Sequence, residues 1–181
     1  MIAAADYRSR FLAGETLIGT FVKTPSPHVV EILGTVGFDF IVIDAEHAPF
    51  SRRSIDMALL AARAAGVAAI VRTADRGAAQ LLAALDDRAA GVLVPHIDSA
   101  EAARRLVSTC RYSGQRGYSN SPRAGGYGAT AMWDHAYRSS SVFGRSGEGR
   151  TAGVRRDSFG SYGRRTCASP KCFSLQTHLT D

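Results

Sequence analysis

Cysteine is scarce in this chain of 181 residues, with only Cys110, Cys167 and Cys172. Three cysteines do not suggest a disulfide framework and fit a reducing compartment. Cys167 and Cys172, with His178 beyond, give three ligands at a loose spacing where a structural zinc site wants four. Long hydrophobic runs are also missing. No stretch reaches the roughly 18 apolar residues of a membrane span, so no membrane association is expected. The opening MIAAADYRSRF has an early acid and no apolar core of a signal peptide, and the expectation is a cytoplasmic protein. No G-x-G-x-x-G follows the first strand-like run, which removes the main support for a dinucleotide-binding sheet.

Hydrophobic residues make up 45% of the chain and charged residues 21%, the balance of a globular domain. The net charge of +6 is unevenly spread. Residues 1–137 carry 14 basic and 13 acidic side chains, whereas residues 138–181 carry 8 and 3. Basicity is therefore a property of the tail.

The first two-thirds of the chain alternates between two textures. LIGTFVK (17–23), FDFIVID (38–44), VAAIVRT (67–73) and GVLVPHI (91–97) are short apolar runs that predict strands. SPHVVEILGTVG (26–37), SRRSIDMALLAARAAG (51–66), GAAQLLAALDD (77–87) and DSAEAARRLVSTCR (98–111) have helical spacing. Glycine stops the first two of these helices, and Asp98 or Ser99 can cap the last, with Glu101 placed to reach back. Strand followed by helix four times implies parallel strands with right-handed crossovers. A doubly wound open sheet and part of a (β/α)8 barrel both fit. Polar residues collect at the strand C-termini, at Lys23, Asp44 to His47, Arg72 and His96, and in barrels that rim carries the chemistry. A whole barrel needs about 250 residues, more than this chain has.

After Tyr137 the pattern stops. The 44 residues from Arg138 to Asp181 include 8 Ser, 6 Gly and 7 Arg, with no strand run and no amphipathic helix. The segment reads as an irregular, disordered basic tail unable to bury enough apolar surface to order itself. The expected organisation is thus 1–137 as the barrel part and 138–181 as the Ser/Gly/Arg-rich tail.

Several residues invite chemistry. His47 at a strand end beside two acids suits a general base or a metal ligand, and equally a surface histidine paired with an acid. Alternation puts Asp44 and Glu46 on one side of an extended segment and His47 on the other, and both acids could instead cap a helix or form salt bridges. Arg72 ends an apolar strand, where a guanidinium needs an anion: a bound carboxylate, or Asp75 or Asp44. Asp86 and Asp87 close a helix against its dipole, a mild functional hint, with a solvated-surface reading preferred for Asp87. His96 lines the rim or is a loop residue. His28 and His135 have no evident partner. SPRAGGYG (121–128) could bind an anion or form a lid.

Taken in order, GFDFIVIDAEHAPF, VRTAD, LDDRAAGVLVPHIDSAEAARRLV and RGYSNSPRAGGYGA resemble the HpcH/HpaI aldolase family, the metal-dependent (class II) pyruvate aldolases, from about residue 12 to about residue 137. The D-x-E-H-A-P element is the specific part. The resemblance implies a (β/α)8 barrel, an oligomer with its site near a subunit interface, and a divalent ion (Mg2+, Mn2+ or Co2+). It implies cleavage of a 4-hydroxy-2-oxo acid to pyruvate and an aldehyde. His47 is then the base, Asp86 orients it, Arg72 holds the oxo-acid end of the substrate, and Glu46 supports metal-bound water. A citrate-lyase-like CoA-ester lyase is the rival within enzymes. Outside enzymes the rival is a non-catalytic half barrel whose basic tail binds nucleic acid, which is not the expected partner.

The chain departs from the family pattern twice. Arg88 stands where the family usually has glycine after its L-D-x, and could crowd the turn before the fourth strand. The family's two metal-binding carboxylates, in Q-I-E-like and G-x-x-D-L-like runs, have no counterpart, and Glu148 in GRSGEGR carries no such role. The metal ligands are therefore unknown. Residues from about 138 are expected to be an out-of-frame translation or a gene remnant, leaving a half barrel with open sheet edges, poor solubility and no metal-dependent activity.

Overall fold

The computed structural model describes residues 4–112, 115–129, 141–145, 151–154 and 172–175. Among these residues, five helices and seven strands occur in the order α1 (Ala4–Leu12), β1 (Leu17–Val22), α2 (Pro27–Val36), β2 (Phe40–Asp44), α3 (Arg52–Ala65), β3 (Ala68–Arg72), α4 (Ala78–Asp86), β4 (Gly91–Val94), α5 (Ala100–Cys110), β5 (Ser141–Arg145), β6 (Thr151–Val154) and β7 (Cys172–Leu175). A short 3-10 turn, Arg123–Gly128, lies between α5 and β5.

The four βα units expected from periodicity are present, with boundaries moved by a few residues. Their signals are local. Pro27 opens α2, and Gly37 ends it at φ 97°. Ser51 caps α3 in a reciprocal box with Ser54, and Gly66 ends it at φ 72°. Ser99, not Asp98, caps α5 by accepting from the Ala102 amide. Glu101 pairs with Arg105 rather than reaching back to the cap.

Strands β1 to β5 run parallel in chain order, and β6 and β7 add antiparallel strands at the two edges. Three strands therefore occupy the segment in which no strand run was expected, a correction to that reading. VFG within β5 is too short for periodicity to register. Its neighbour β4 recruits it, burying Val142 and Phe143 on opposite sheet faces.

Consecutive strand order separates the two candidate architectures. A doubly wound sheet reverses its order and so places helices on both faces. Here α2, α3, α4 and α5 all pack on one face, against Ile41, Ile43, Ala69, Val71, Val92 and Val94. That is the layout of a barrel segment, with the crossover helices outside. The opposite, inner face carries Leu17, Phe40, Val42, Ala68, Ile70, Leu93 and Phe143, closed by Tyr7 and Phe11 of α1. Tyr7 and Phe11 stand one helical turn apart, and this pairing is the sequence signal for α1.

Register stacks the inner face in layers. Gly19, Phe40 and Ala68 lie at one level, Phe21, Val42, Ile70 and Gly91 at the next, and Asp44, Arg72, Leu93 and Phe143 at the top. The apolar layers thus end in a charged one at the strand C-termini. In the lowest layer Phe40 lies directly over Gly19, where an added Cβ would sit 2.3 Å from the ring. Gly19→Ala is expected to destabilise the chain by about 1–3 kcal/mol through overpacking, read from urea unfolding. Arg88 adopts φ 67°, the left-handed backbone that favours glycine, between α4 and β4. Arg88→Gly is expected to stabilise by about 1 kcal/mol and raise the melting temperature.

Candidate functional site

The top layer of the inner face is the centre of the site. Register sets Asp44 directly opposite Arg72 on neighbouring strands. The Arg72 fork donates from Nε to Asp44 Oδ1 (2.9 Å) and from Nη2 to Oδ2 (2.6 Å). Asp44 is fully buried and Arg72 is 4% exposed. The guanidinium also lies over the Phe21 ring, 4.8 Å from its centroid. Lys23 Nζ approaches Asp44 Oδ2 at 3.6 Å from the end of β1.

Of the two partners left open for Arg72, Asp44 is the one found. Asp75 instead accepts from the Gly77 amide and Gln80 at the start of α4. Burial pushes the Asp44 carboxyl up. The Arg72 hydrogen bonds, the His47 amide, and the charges of Arg72 and Lys23 more than offset this and hold it below the usual carboxylate range.

β2 ends at Asp44, and the strict alternation of an extended chain ends with it. Asp44 Oδ1 accepts from the amides of Glu46 (3.2 Å) and His47 (3.0 Å), folding the next residues into a turn. Glu46 and His47 are therefore not on opposite sides, as extended alternation predicted. His47 Nε2 comes within 3.6 Å of Glu46 Oε1. His96, after β4, brings its Nε2 to 3.7 Å from the same oxygen. The other oxygen, Oε2, is 3.1 Å from Arg72 Nη1. Oε2 is buried and makes no contact with hydrogen-bond geometry. One carboxylate thus faces a guanidinium and two imidazoles. His47 and His96 are mostly exposed, so the imidazoles are the solvent side of the site.

Asp86 is not brought to this group. It ends α4 and lies towards the strand N-termini, because the chain must still turn into β4. Its carboxylate accepts from Arg116 Nη2 (2.7 Å), whose guanidinium also lies over Tyr112. Asp87 corrects the solvated-surface reading. It is 9% exposed and is gripped by both terminal nitrogens of Arg52. The glycine-rich turn is also accounted for internally. Arg123 donates to Asp56 Oδ1 (2.6 Å), to the Asp87 carbonyl (3.0 Å) and to Tyr127 Oη (3.3 Å). The amides of Gly125, Tyr127, Gly128 and Ala129 are all bonded to nearby carbonyls. His28 is exposed on α2. His135, Glu148, Cys167 and His178 lie outside the described residues. Sequence reasoning passed over Asp44 as the organising acid. The available signal was parity, since Asp44 continues the inward Phe40–Val42 series just as Arg72 continues Ala68–Ile70.

Among the described residues, no group of three or more His, Cys, Asp and Glu side chains could hold a metal ion. Asp44 is committed to Arg72, and Glu46 faces a cation. The described residues therefore do not fit the divalent ion that the resemblance implies. No described helix is long and apolar enough to cross a membrane.

The family model described as HpcH/HpaI aldolase/citrate lyase matches residues 17–124. The hydroxypyruvate/pyruvate aldolase of Roseobacter denitrificans is 35% identical over 125 residues, 67% of this chain and 49% of that protein. The 2-dehydro-3,6-dideoxy-6-sulfogluconate aldolase of Pseudomonas putida is 37% identical over 113 residues, 61% and 44% respectively. The crystal structure of a HpcH/HpaI aldolase/citrate lyase family protein from Burkholderia cenocepacia superposes with a TM-score of 0.70 at 27% identity, over 76% of this chain and 58% of that one. The chain spans about half the length of the curated relatives it matches.

The depressed Asp44 carboxyl gives a pH prediction. A carboxylate held low in the folded state contributes stability that is present above its unfolded value, about 4, and lost as pH falls through the folded one. Unfolding free energy is therefore expected to fall below about pH 4. Asp44→Asn is expected to flatten that limb, as followed by urea titrations at several pH values.

Proposed function

Because the chain belongs to the HpcH/HpaI aldolase/citrate lyase family, we propose that its rim is the site of a carbon–carbon lyase of the aldolase type. The substrate would be a 4-hydroxy-2-oxo acid, and the products pyruvate and an aldehyde. One observation carries the reading: His47 and Arg72 converge on the Glu46 carboxylate at the strand C-termini. In a barrel that end holds the chemistry.

Each residue has its own part in the cleavage. His47, exposed and backed by Glu46, takes the proton of the C4 hydroxyl. The C3–C4 bond breaks as the C4 oxygen becomes the aldehyde carbonyl, and its electron pair passes into the enolate of pyruvate. His47 returns the proton to C3. Glu46 stabilises the imidazolium between these steps, as an acid beside a catalytic imidazole does. Arg72 Nη1 is the corner of the fork that Asp44 leaves over, and it offsets charge at the oxo-acid end. Within one chain Asp86 stands apart from His47, so the orienting role expected of it would act across an interface between copies.

We propose further that the 181-residue chain is inactive. Its described residues supply no ligand set for the divalent ion, and the tail from about 138 is read as out of frame. The coding DNA from codon 120 onward tests that directly. Another frame that restores a Gln-x-Glu strand and an Asp-Leu motif supports the reading, and no such frame contradicts it. Release of pyruvate from a 4-hydroxy-2-oxo acid by the present chain with Mg2+, Mn2+ or Co2+ would contradict inactivity. Turnover of a malyl-CoA-type ester instead would favour the citrate-lyase branch. In a repaired full-length chain, His47→Ala is expected to lower turnover by about 10²–10⁴-fold in a coupled pyruvate assay. Arg72→Lys is expected to weaken both oxo-acid binding and turnover, because a point charge does not replace the fork. Wild-type rates in either variant would overturn these roles.

A further inference from the structure

We propose that His96 is a positioning residue of the same site, sharing the Glu46 carboxylate with His47. The inference rests on the aldolase reading for its use in catalysis, but not for its geometry. Nε2 of His47 and Nε2 of His96 stand 3.6 and 3.7 Å from the same Oε1. Both distances are within ion-pair range and beyond a direct hydrogen bond. The two imidazoles come from different strand ends, after β2 and after β4, so one carboxylate links rim positions that flank Arg72 on β3.

The backbone points the same way. His96 adopts φ 57°, a left-handed conformation that costs a non-glycine residue about 1 kcal/mol or more. The segment is also tied down, since Arg76 Nη1 approaches the His96 carbonyl at 3.4 Å. Glu46 needs this support. Its backbone amide is bound to Asp44, but among the described residues its buried Oε2 has only an ion pair to hold it. Arg72 faces one oxygen from the sheet side, and the two imidazoles flank the other at the surface. A change in the charge of Glu46 therefore reaches both rings.

The test uses the full chain with 15N-labelled histidine and long-range 1H–15N spectra of the imidazoles. Glu46→Gln keeps the side-chain shape and removes the charge. It is expected to move the Nε2 resonances of both His47 and His96 and to leave His28 on α2 in place. A His96 resonance that stays put overturns the proposal. His96→Gly supplies the residue that this backbone favours. The melting temperature is expected to hold or rise while the His47 resonance shifts, a combination that a purely structural role does not produce. An unmoved His47 resonance overturns the proposal independently of the first variant. In a repaired chain, His96→Gly is expected to lower kcat about tenfold with KM nearly unchanged. Shared resonances without pyruvate release from that repaired chain would count against the aldolase reading and leave the shared carboxylate standing.

Discussion

The buried pairing of Asp44 with Arg72 is the constraint on which the rest of the rim depends. It closes the top layer of the inner face, where the apolar layers below would otherwise meet an uncompensated charge. Removing one partner of such a pair typically costs about 3–5 kcal/mol, because the other charge is left buried and alone. The same Asp44 carboxylate also shapes the turn after β2. By accepting the Glu46 and His47 amides it bends the chain and delivers both side chains to the strand ends. Stability and site geometry are therefore carried by one acid.

The pairing also limits Arg72. A guanidinium that turns Nε and Nη2 to Asp44 keeps Nη1 clear of it, and Glu46 already stands before that nitrogen. On the aldolase reading proposed above, an incoming oxo-acid would compete with Glu46 for that nitrogen. Binding and the orientation of the His47 partner would then be coupled through a single carboxylate. The aromatic face of Phe21 lies against the guanidinium and backs the fork from that side.

Much of the fold was legible because its signals are local. Pro27, Gly37, Ser51, Gly66 and Ser99 mark helix ends in the sequence and in the structure alike. Strand β5 was not legible, since its order comes from pairing with β4 rather than from its own five residues. Glu46, His47 and Arg72 could be read as a set only from the ordered family motifs GFDFIVIDAEHAPF and VRTAD that contain them. Asp87 could not be placed, because its burial depends on Arg52, 35 residues away. His96 was ambiguous for the same reason, as only the neighbouring strands bring it to Glu46. Asp86 shows the limit in the other direction. A motif names the residue, but the chain's own topology puts it at the far end of the sheet.

A double-mutant cycle on Asp44→Asn and Arg72→Met would test the dependence of the rim on this pair most directly. Unfolding free energies of the wild-type chain, the two single variants and the double variant would be taken from urea titration at neutral pH. Each single change is expected to be strongly destabilising, and the double variant to recover part of the loss, with a coupling of about 2–3 kcal/mol. Losses that add within about 0.5 kcal/mol would contradict the dependence, since the two side chains would then not rely on each other.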